Sequence, residues 1–518
     1  MTSVSIRLPR VSFSFLFALV FPAFLFGADV SGNWLFSVPG PDGTSRDTYF
    51  RLKQDGSKIT GAVQQGFNMR TIDSGSIEGN HLRFATSFTG RGQTVTVTYE
   101  GDLAGDELHL KSSGGFGRGV GRGAGPGRGP AEMIAKRVAE SAGLPPARIE
   151  PPTLHPVKYN GLGKTPPMGW NSWNHFRGQI DDAGVRGMAD ALVSSGMKDA
   201  GYVFVNIDDT WQGQRDASGN ITTNKRFPDM KALTDYVHSK GLKIGLYSSP
   251  GPRTCANYEG SYAHEAQDAK QYAAWGFDYL KYDWCSASAI YKPEDMHAVY
   301  QKMGDALTAT GRPIVFSLCQ YGEANVQEWG PSVGGNLWRT TGDIQDNWRS
   351  MTTIGFSQND LAKWAAPGHF NDPDMLEIGN GGMSDTEYRT HMSLWSILAA
   401  PLLAGNDIRT MSPATKEILM NTDVIAIDQD KAGHQGHRAS QNGDIEIWVK
   451  PLADGGTAVA MFNRGESEAS IKADWAQLGI GKAKRVRDLW AHKDLSGAET
   501  GYTATVPAHG VAMLRVSK

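Results

Sequence analysis

Apolar and polar positions change rhythm three times along the chain. From residue 29 to 111 short runs alternate apolar with polar side chains, as in Thr94-Val95-Thr96-Val97-Thr98-Tyr99, and turn-forming dipeptides such as Asp55-Gly56, Gly79-Asn80 and Gly105-Asp106 punctuate them. Period-two alternation between such turns predicts a small all-β module, a sandwich or a barrel. Residues 112–130 are Gly-rich with Arg118, Arg122 and Arg128, a composition that buries no core and predicts a flexible tether. The stretch 131–142 is read as a short helix. Pro-rich residues 145–156 then lead onward, so 112–160 is assigned to a linker.

From 161 to 432 the pattern becomes strand and helix in alternation. Apolar runs end at Trp173, Asp209, Ser249, Trp284, Cys319, Asp343, Asp374 and Asp407, and amphipathic stretches follow most of them, for example 188–198 and 233–240. Eight such units are what a (β/α)8 TIM barrel requires. An open doubly wound sheet would want a Gly-rich first turn onto a helix, which the sequence lacks. Beyond 433 the runs shorten again, at 445–449, 458–462 and 511–516, and predict an antiparallel β-sandwich to the end of the chain.

Composition narrows the function by exclusion. A chain of 518 residues, 40% hydrophobic and 20% charged, is long enough for several full cores, and a formal charge of −3 provides no field to gather nucleic acid. Arg7 and Arg10 precede an apolar run over 11–26 that ends at Gly27-Ala28, the pattern of a cleaved export signal over residues 1–28. The protein is therefore expected to be secreted or periplasmic, with no stable membrane insertion once that segment is removed. Cys255, Cys285 and Cys319 are the three cysteines, so at most one bridge forms within the chain.

In a TIM barrel the active site lies at the carboxyl ends of the strands. Trp170 and Trp173 end the first run, Asp208 and Asp209 the second, Tyr247 the third, Lys281 and Asp283 the fourth; Gln320 and Tyr321 follow the fifth, Arg339 and Asp343 end the sixth, and Asp372, Asp374 and Met375 the seventh. Carboxylates, two cations and aromatic faces on one rim suit a neutral pyranose, whose C–H patch stacks on rings while its hydroxyls bond to carboxylates and amides. Clustered carboxylates also suit a hard cation. Without His-rich ligand spacing, and with Lys281 beside Asp283, neither metal nor cofactor is expected. Glycoside hydrolysis needs two carboxyl groups flanking the scissile bond, and Asp283 and Asp343 are the best pair.

Five motifs in order carry a resemblance: Pro166-Pro167-Met168-Gly169-Trp170-Asn171-Ser172-Trp173, Ile207-Asp208-Asp209-Thr210-Trp211, Leu280-Lys281-Tyr282-Asp283-Trp284-Cys285, Trp338-Arg339-Thr340-Thr341-Gly342-Asp343-Ile344 and Asn371-Asp372-Pro373-Asp374-Met375-Leu376. Together they resemble glycoside hydrolase family 27, the α-galactosidases and α-N-acetylgalactosaminidases, over residues 164–435 and the sandwich beyond. The resemblance implies a retaining attack on a terminal α-galactosyl residue, with Asp283 as nucleophile and Asp343 as general acid/base. It implies that Asp208 and Asp209 hold the 4- and 6-hydroxyls, Lys281 the 3- and 4-hydroxyls, and Arg339 with Asp374 the 2-hydroxyl side, while Trp173, Tyr247 and Met375 line the pocket. It also implies a Cys255–Cys285 bridge.

One departure stands out. Many relatives carry Glu-Trp where this chain has Gln320-Tyr321, in the segment that reads the 2-position substituent. Gln320 can bond a hydroxyl and its bulk disfavours an acetamido group, so galactose is expected ahead of N-acetylgalactosamine. Arabinopyranose, which lacks the 6-carbon, is the other same-family sugar, and an inactive carbohydrate-binding protein is the alternative of a different class.

Overall fold

The computed structural model describes Met1 and residues 29–40, 42–90, 93–114 and 132–518. The proposed signal segment and most of the Gly/Arg-rich tether lie outside the described residues. The chain forms two compact units, Met1–Ser37 with Asp47–Ala142, and Val38–Arg46 with Gly143–Lys518.

The first unit answers the sandwich-or-barrel question: eight antiparallel strands close into a barrel. Trp34, Phe50, Phe84, Tyr99, Leu108 and Leu110 fill it, with the Phe84 and Tyr99 rings stacked 5.1 Å apart. The strand that closes it is Met133–Val138, where a helix over 131–142 is expected from sequence. Met133 and Ala135 point inward and Ile134 and Lys136 outward, while Lys136 pairs with Glu107 on one side and Leu35 on the other. Pairing with residues far away in sequence has overridden a local preference for helix. The assigned linker is accordingly subdivided. Its start extends the strand Glu107–Gly114, and its Pro-rich end is strapped along the second unit by Arg148 on Asp295 (2.8 Å), the His155 amide on Gln301 (2.8 Å) and Asn160 on Asn336 (2.8 Å).

The second unit contains eight parallel strands: Met168–Asn171, Phe204–Asn206, Lys243–Ser248, Tyr279–Asp283, Val315–Cys319, Leu337–Arg339, Phe370–Asp372 and Leu402–Ala404. They run side by side in that order, with the eighth against the first, and a single bridge from Leu376 to Ala404 joins the seventh segment to the eighth. This is the expected (β/α)8 arrangement. Helices form where the amphipathic stretches lie. Asp182–Ser194 buries Val185, Met188 and Leu192 at i, i+3, i+7 and starts on Asp181, whose carboxylate accepts from the Gly184 amide. Asp385–Ile397 starts on a Ser384/Glu387 capping box.

Each strand from the second to the seventh, the third excepted, begins with an apolar residue of a small separate core: Phe204, Tyr279, Val315, Leu337 and Phe370. That plug seals the amino end of the barrel and leaves its carboxyl end for chemistry. The terminal sandwich has a six-stranded and a two-stranded sheet, with Val459, Met461, Trp475, Val486, Val506 and Leu514 in its core. Among the described residues no helix is long and apolar enough to cross a membrane.

Candidate active site

The structure brings every residue singled out from sequence to the carboxyl end of the parallel barrel, several of them in loops rather than on strands. The second strand stops at Asn206, the sixth at Arg339 and the seventh at Asp372, so Asp208, Asp209, Asp343 and Asp374 follow strands instead of ending them. The loops turn sharply. Thr210, Ser286, Tyr321 and Asp374, none of them glycine, take positive φ of 85°, 55°, 62° and 87°. Left-handed backbone at a β-branched threonine is costly, and such strain persists only where surrounding contacts enforce it.

Asp208 is buried and fully engaged. Lys281 Nζ and Asn171 Nδ2 both donate to its Oδ2 at 2.9 Å, and its Oδ1 accepts from the Asp209 amide at 2.8 Å. Asp209 accepts from the Thr210 amide on one oxygen and from the Ala256 amide (2.7 Å) on the other, yet burial still pushes its carboxyl up to about 7. Ala256 follows Cys255, which is bonded to Cys285 just beyond the fourth strand. The bridge thus ties the loop that holds Asp209 to the strand that carries Asp283.

Asp283 is 4% exposed and its register partner across the sheet is Cys319. Burial raises its carboxyl above the ordinary range, opposed by the Lys281 charge, by a hydrogen bond from Tyr321 (2.6 Å) and by Arg339, and abetted by Asp208. Arg339 is buried on the sixth strand and spans the site: one amino group lies 2.9 Å from Asp374 and 3.2 Å from Asp343. The Asp343 side chain is 69% exposed, so the two acids differ in setting, one walled in and one at the mouth. Asp374 also accepts from the Ile344 amide (2.8 Å), which fixes the loop bearing Asp343.

The remaining residues form walls. Tyr247 is buried with Lys281 Nζ 5.2 Å from its ring centre, and Met375 is buried with its amide on Asp374. Trp173 is half-buried, its amide donating to Asn171 at 2.8 Å. Gln320 is buried with its amide nitrogen on the Arg339 carbonyl (3.3 Å) and its Oε1 without a protein partner. Cys319 is unbridged and buried. Among the described residues Cys255, Asp283 and Cys285 lie close enough to hold an ion, but the two sulfurs are bonded to each other and offer no thiolate.

Three features escape the sequence. Asn171 and Ser172, which orient Asp208, read there only as part of a motif. Glu377, with Asn174 and Asn380 on its carboxylate and its own titration pushed up to about 7 by burial, gave no signal. The Tyr321 contact to Asp283 depends on the left-handed turn and has no signature in residue type.

A family model described as alpha galactosidase A matches residues 165–430, and one for the alpha galactosidase C-terminal beta sandwich domain matches 442–516. The chain is 49% identical to the α-galactosidase of Cyamopsis tetragonoloba over 68% of its own length and 86% of the relative's. It superposes on α-galactosidase I of Mortierella vinacea with TM-score 0.67 and 37% identity, covering 69% of this chain and 98% of that one. The α-galactosidase of Saccharomyces cerevisiae solved with raffinose gives TM-score 0.65 and 28% identity over 70% and 99%. Motif order, barrel, sandwich and these similarities agree, and the chain belongs to the α-galactosidases of glycoside hydrolase family 27.

Proposed function

We propose that the protein is an exported, retaining exo-glycosidase that removes terminal α-D-galactosyl residues from oligosaccharides or galactosylated polysaccharides. Asp283 is the nucleophile and Asp343 the general acid/base. The observation that carries this reading is the contrast between the two acids: Asp283 is enclosed, with Lys281 and Arg339 favouring its charged form against burial, whereas Asp343 stands at the solvent-exposed mouth where a leaving group departs and water enters.

The reaction runs in two displacements. An Asp283 oxygen bonds to the anomeric carbon as the glycosidic C–O bond breaks, and Asp343 protonates the departing oxygen. Water then attacks the same carbon, Asp343 takes its proton, and the electron pair returns to Asp283. The sugar is held by Asp208 and Asp209 at the 4- and 6-hydroxyls, by Lys281 at the 3- and 4-hydroxyls, and by Arg339 and Asp374 near the 2-hydroxyl. Gln320, with a free buried acceptor, suits a 2-hydroxyl donor. Trp173, Tyr247 and Met375 line the pocket. The Cys255–Cys285 bridge supports export to an oxidising compartment.

Nitrophenyl α-galactoside should be hydrolysed faster than the β-L-arabinopyranoside and the α-N-acetylgalactosaminide, and proton NMR of the first turnovers should show α-galactose. Initial release of the β-anomer would refute retention, and preference for another glycoside would refute the assigned sugar.

A further inference from the structure

The resemblance gives Tyr321 no role of its own beyond the Gln320-Tyr321 departure, yet its hydroxyl donates a hydrogen bond to Asp283 Oδ1 at 2.6 Å. The residue is built into that position. It turns left-handed after the fifth strand and Gly322 follows at φ 81°, where a Cβ would lie 2.2 Å from the Thr340 carbonyl oxygen. Only glycine lets the chain pass so close to the sixth strand, and the double turn folds the tyrosine back over the strand ends. Its hydroxyl lies 3.5 Å from Cys255 Sγ and 3.8 Å from Cys285 Sγ, and the Arg339 guanidinium is 5.9 Å from its ring centre.

We propose that Tyr321 is a positioning residue for the nucleophile: it holds Oδ1 of Asp283, leaves Oδ2 to bond the sugar, and stabilises the carboxylate that departs in the second displacement. This rests on Asp283 being the nucleophile. In the first displacement the Oδ2–C1 bond forms while the glycosidic bond breaks, and the charge on Asp283 is spent. In the second, water adds to C1, its proton goes to Asp343, the Oδ2–C1 bond breaks, and the charge returns. A hydrogen bond to a carboxylate is roughly twice as strong as one to the neutral ester. Tyr321 therefore assists the second step more than the first.

The other titratable groups facing Asp283 are Lys281 on its own strand, Asp208, Arg339, Tyr247, Cys319, and Tyr300 from the helix Met296–Ala309. Tyr247, Tyr300 and Cys319 are kept neutral by burial. Burial and the Asp283 charge likewise hold the Tyr321 phenol far above its ordinary range, so it remains a donor across the working pH.

The test is Tyr321→Phe in the full chain, with kinetics, a pH profile and a fluorinated galactosyl label that traps the covalent intermediate. A donor to a charged group is worth about 10- to 100-fold, so kcat should fall by that factor. Because the intermediate then accumulates, KM should fall in parallel and kcat/KM should stay within about threefold. The acid limb should move to higher pH, since ionised Asp283 has lost a donor. A folded variant with unchanged kcat and acid limb, or with raised KM alone, overturns the proposal. Labelling of Asp283 in that same variant leaves the nucleophile assignment standing, whereas a label on another residue overturns the assignment itself. If the phenylalanine chain does not fold, site-specific 3-fluorotyrosine at 321, a stronger donor, should move the acid limb downward; an unmoved limb overturns the proposal.

Discussion

At the amino end of the parallel barrel Phe204, Tyr279, Val315, Leu337 and Phe370 pack on one another, with the Phe204 and Tyr279 rings edge to face at 5.5 Å. A few residues further along the same strands stand Lys281, Asp283, Cys319, Arg339 and Asp372. One end gains from removing apolar surface from water and needs only shape. The other buries charges, which is tolerable only because each is paired or hydrogen-bonded: Asp208 by Lys281, Asp374 by Arg339, Asp209 by two amides. Stability and chemistry are therefore separable along a single strand, and damage to the two ends should look different.

The sharpest way to break the contrast is Asp283→Asn. Turnover of nitrophenyl α-galactoside should fall by about 10⁴-fold or more while the melting midpoint holds or rises, because a buried charge is gone. Unchanged turnover would remove Asp283 from the chemistry. Arg339→Met should come next: kcat/KM down on the order of 100-fold, with Asp374 and Asp343 both losing their partner, read from initial rates. At the opposite end, Leu337→Ala should cost about 2–5 kcal/mol in denaturant titration with kcat per folded molecule preserved. A large loss of kcat there would mean the two ends are coupled.

Two pH effects of opposite sign sharpen the comparison further. Burial raises Asp372 to about 6, so the folded state binds its proton more tightly than the unfolded chain; the stabilisation is complete below the ordinary carboxyl range and is lost as pH rises through about 6. Asp372→Asn should flatten that decline, by about 2–4 °C in melting midpoint. His391, on the helix Asp385–Ile397, is buried with its Nε2 accepting from the Glu377 amide and is pushed down to about 3. Its contribution is present above the ordinary histidine range and is lost as pH falls below about 6.5 toward 3. His391→Gln, which keeps an acceptor, should reduce that acid-side loss; an identical acid profile would contradict it.

Much of this was legible in the sequence because apolar runs and the polar residues after them are local signals. All eight barrel strands appear where the runs lie, and the site residues stand at their carboxyl ends or in the loops that follow. The strands end sooner than the runs suggest, because Asp208, Asp343 and Asp374 continue the runs in sequence but belong to loops. Met133–Val138 suits a helix by local preference, since Ala, Glu and Lys nearby favour one, while its strand character comes from partners around Leu35 and Leu108. Closure of the N-terminal barrel was equally invisible. Tyr321 shows the other limit: its contact follows from a backbone turn that residue type does not announce.

Seven of the eight junctions in the parallel ring are ladders of two to five paired residues, and the eighth is the lone Leu376–Ala404 bridge. A hoop fastened so unevenly has a seam, and spontaneous opening starts where the fastening is thinnest. The stretch that loosens first carries Asp374, while the staves bearing Lys281 and Asp283 stay clamped on both flanks. Deuterium uptake should therefore trace a gradient around the circumference, steepest at the amides of Leu376 and Gly405, which hold the seam shut.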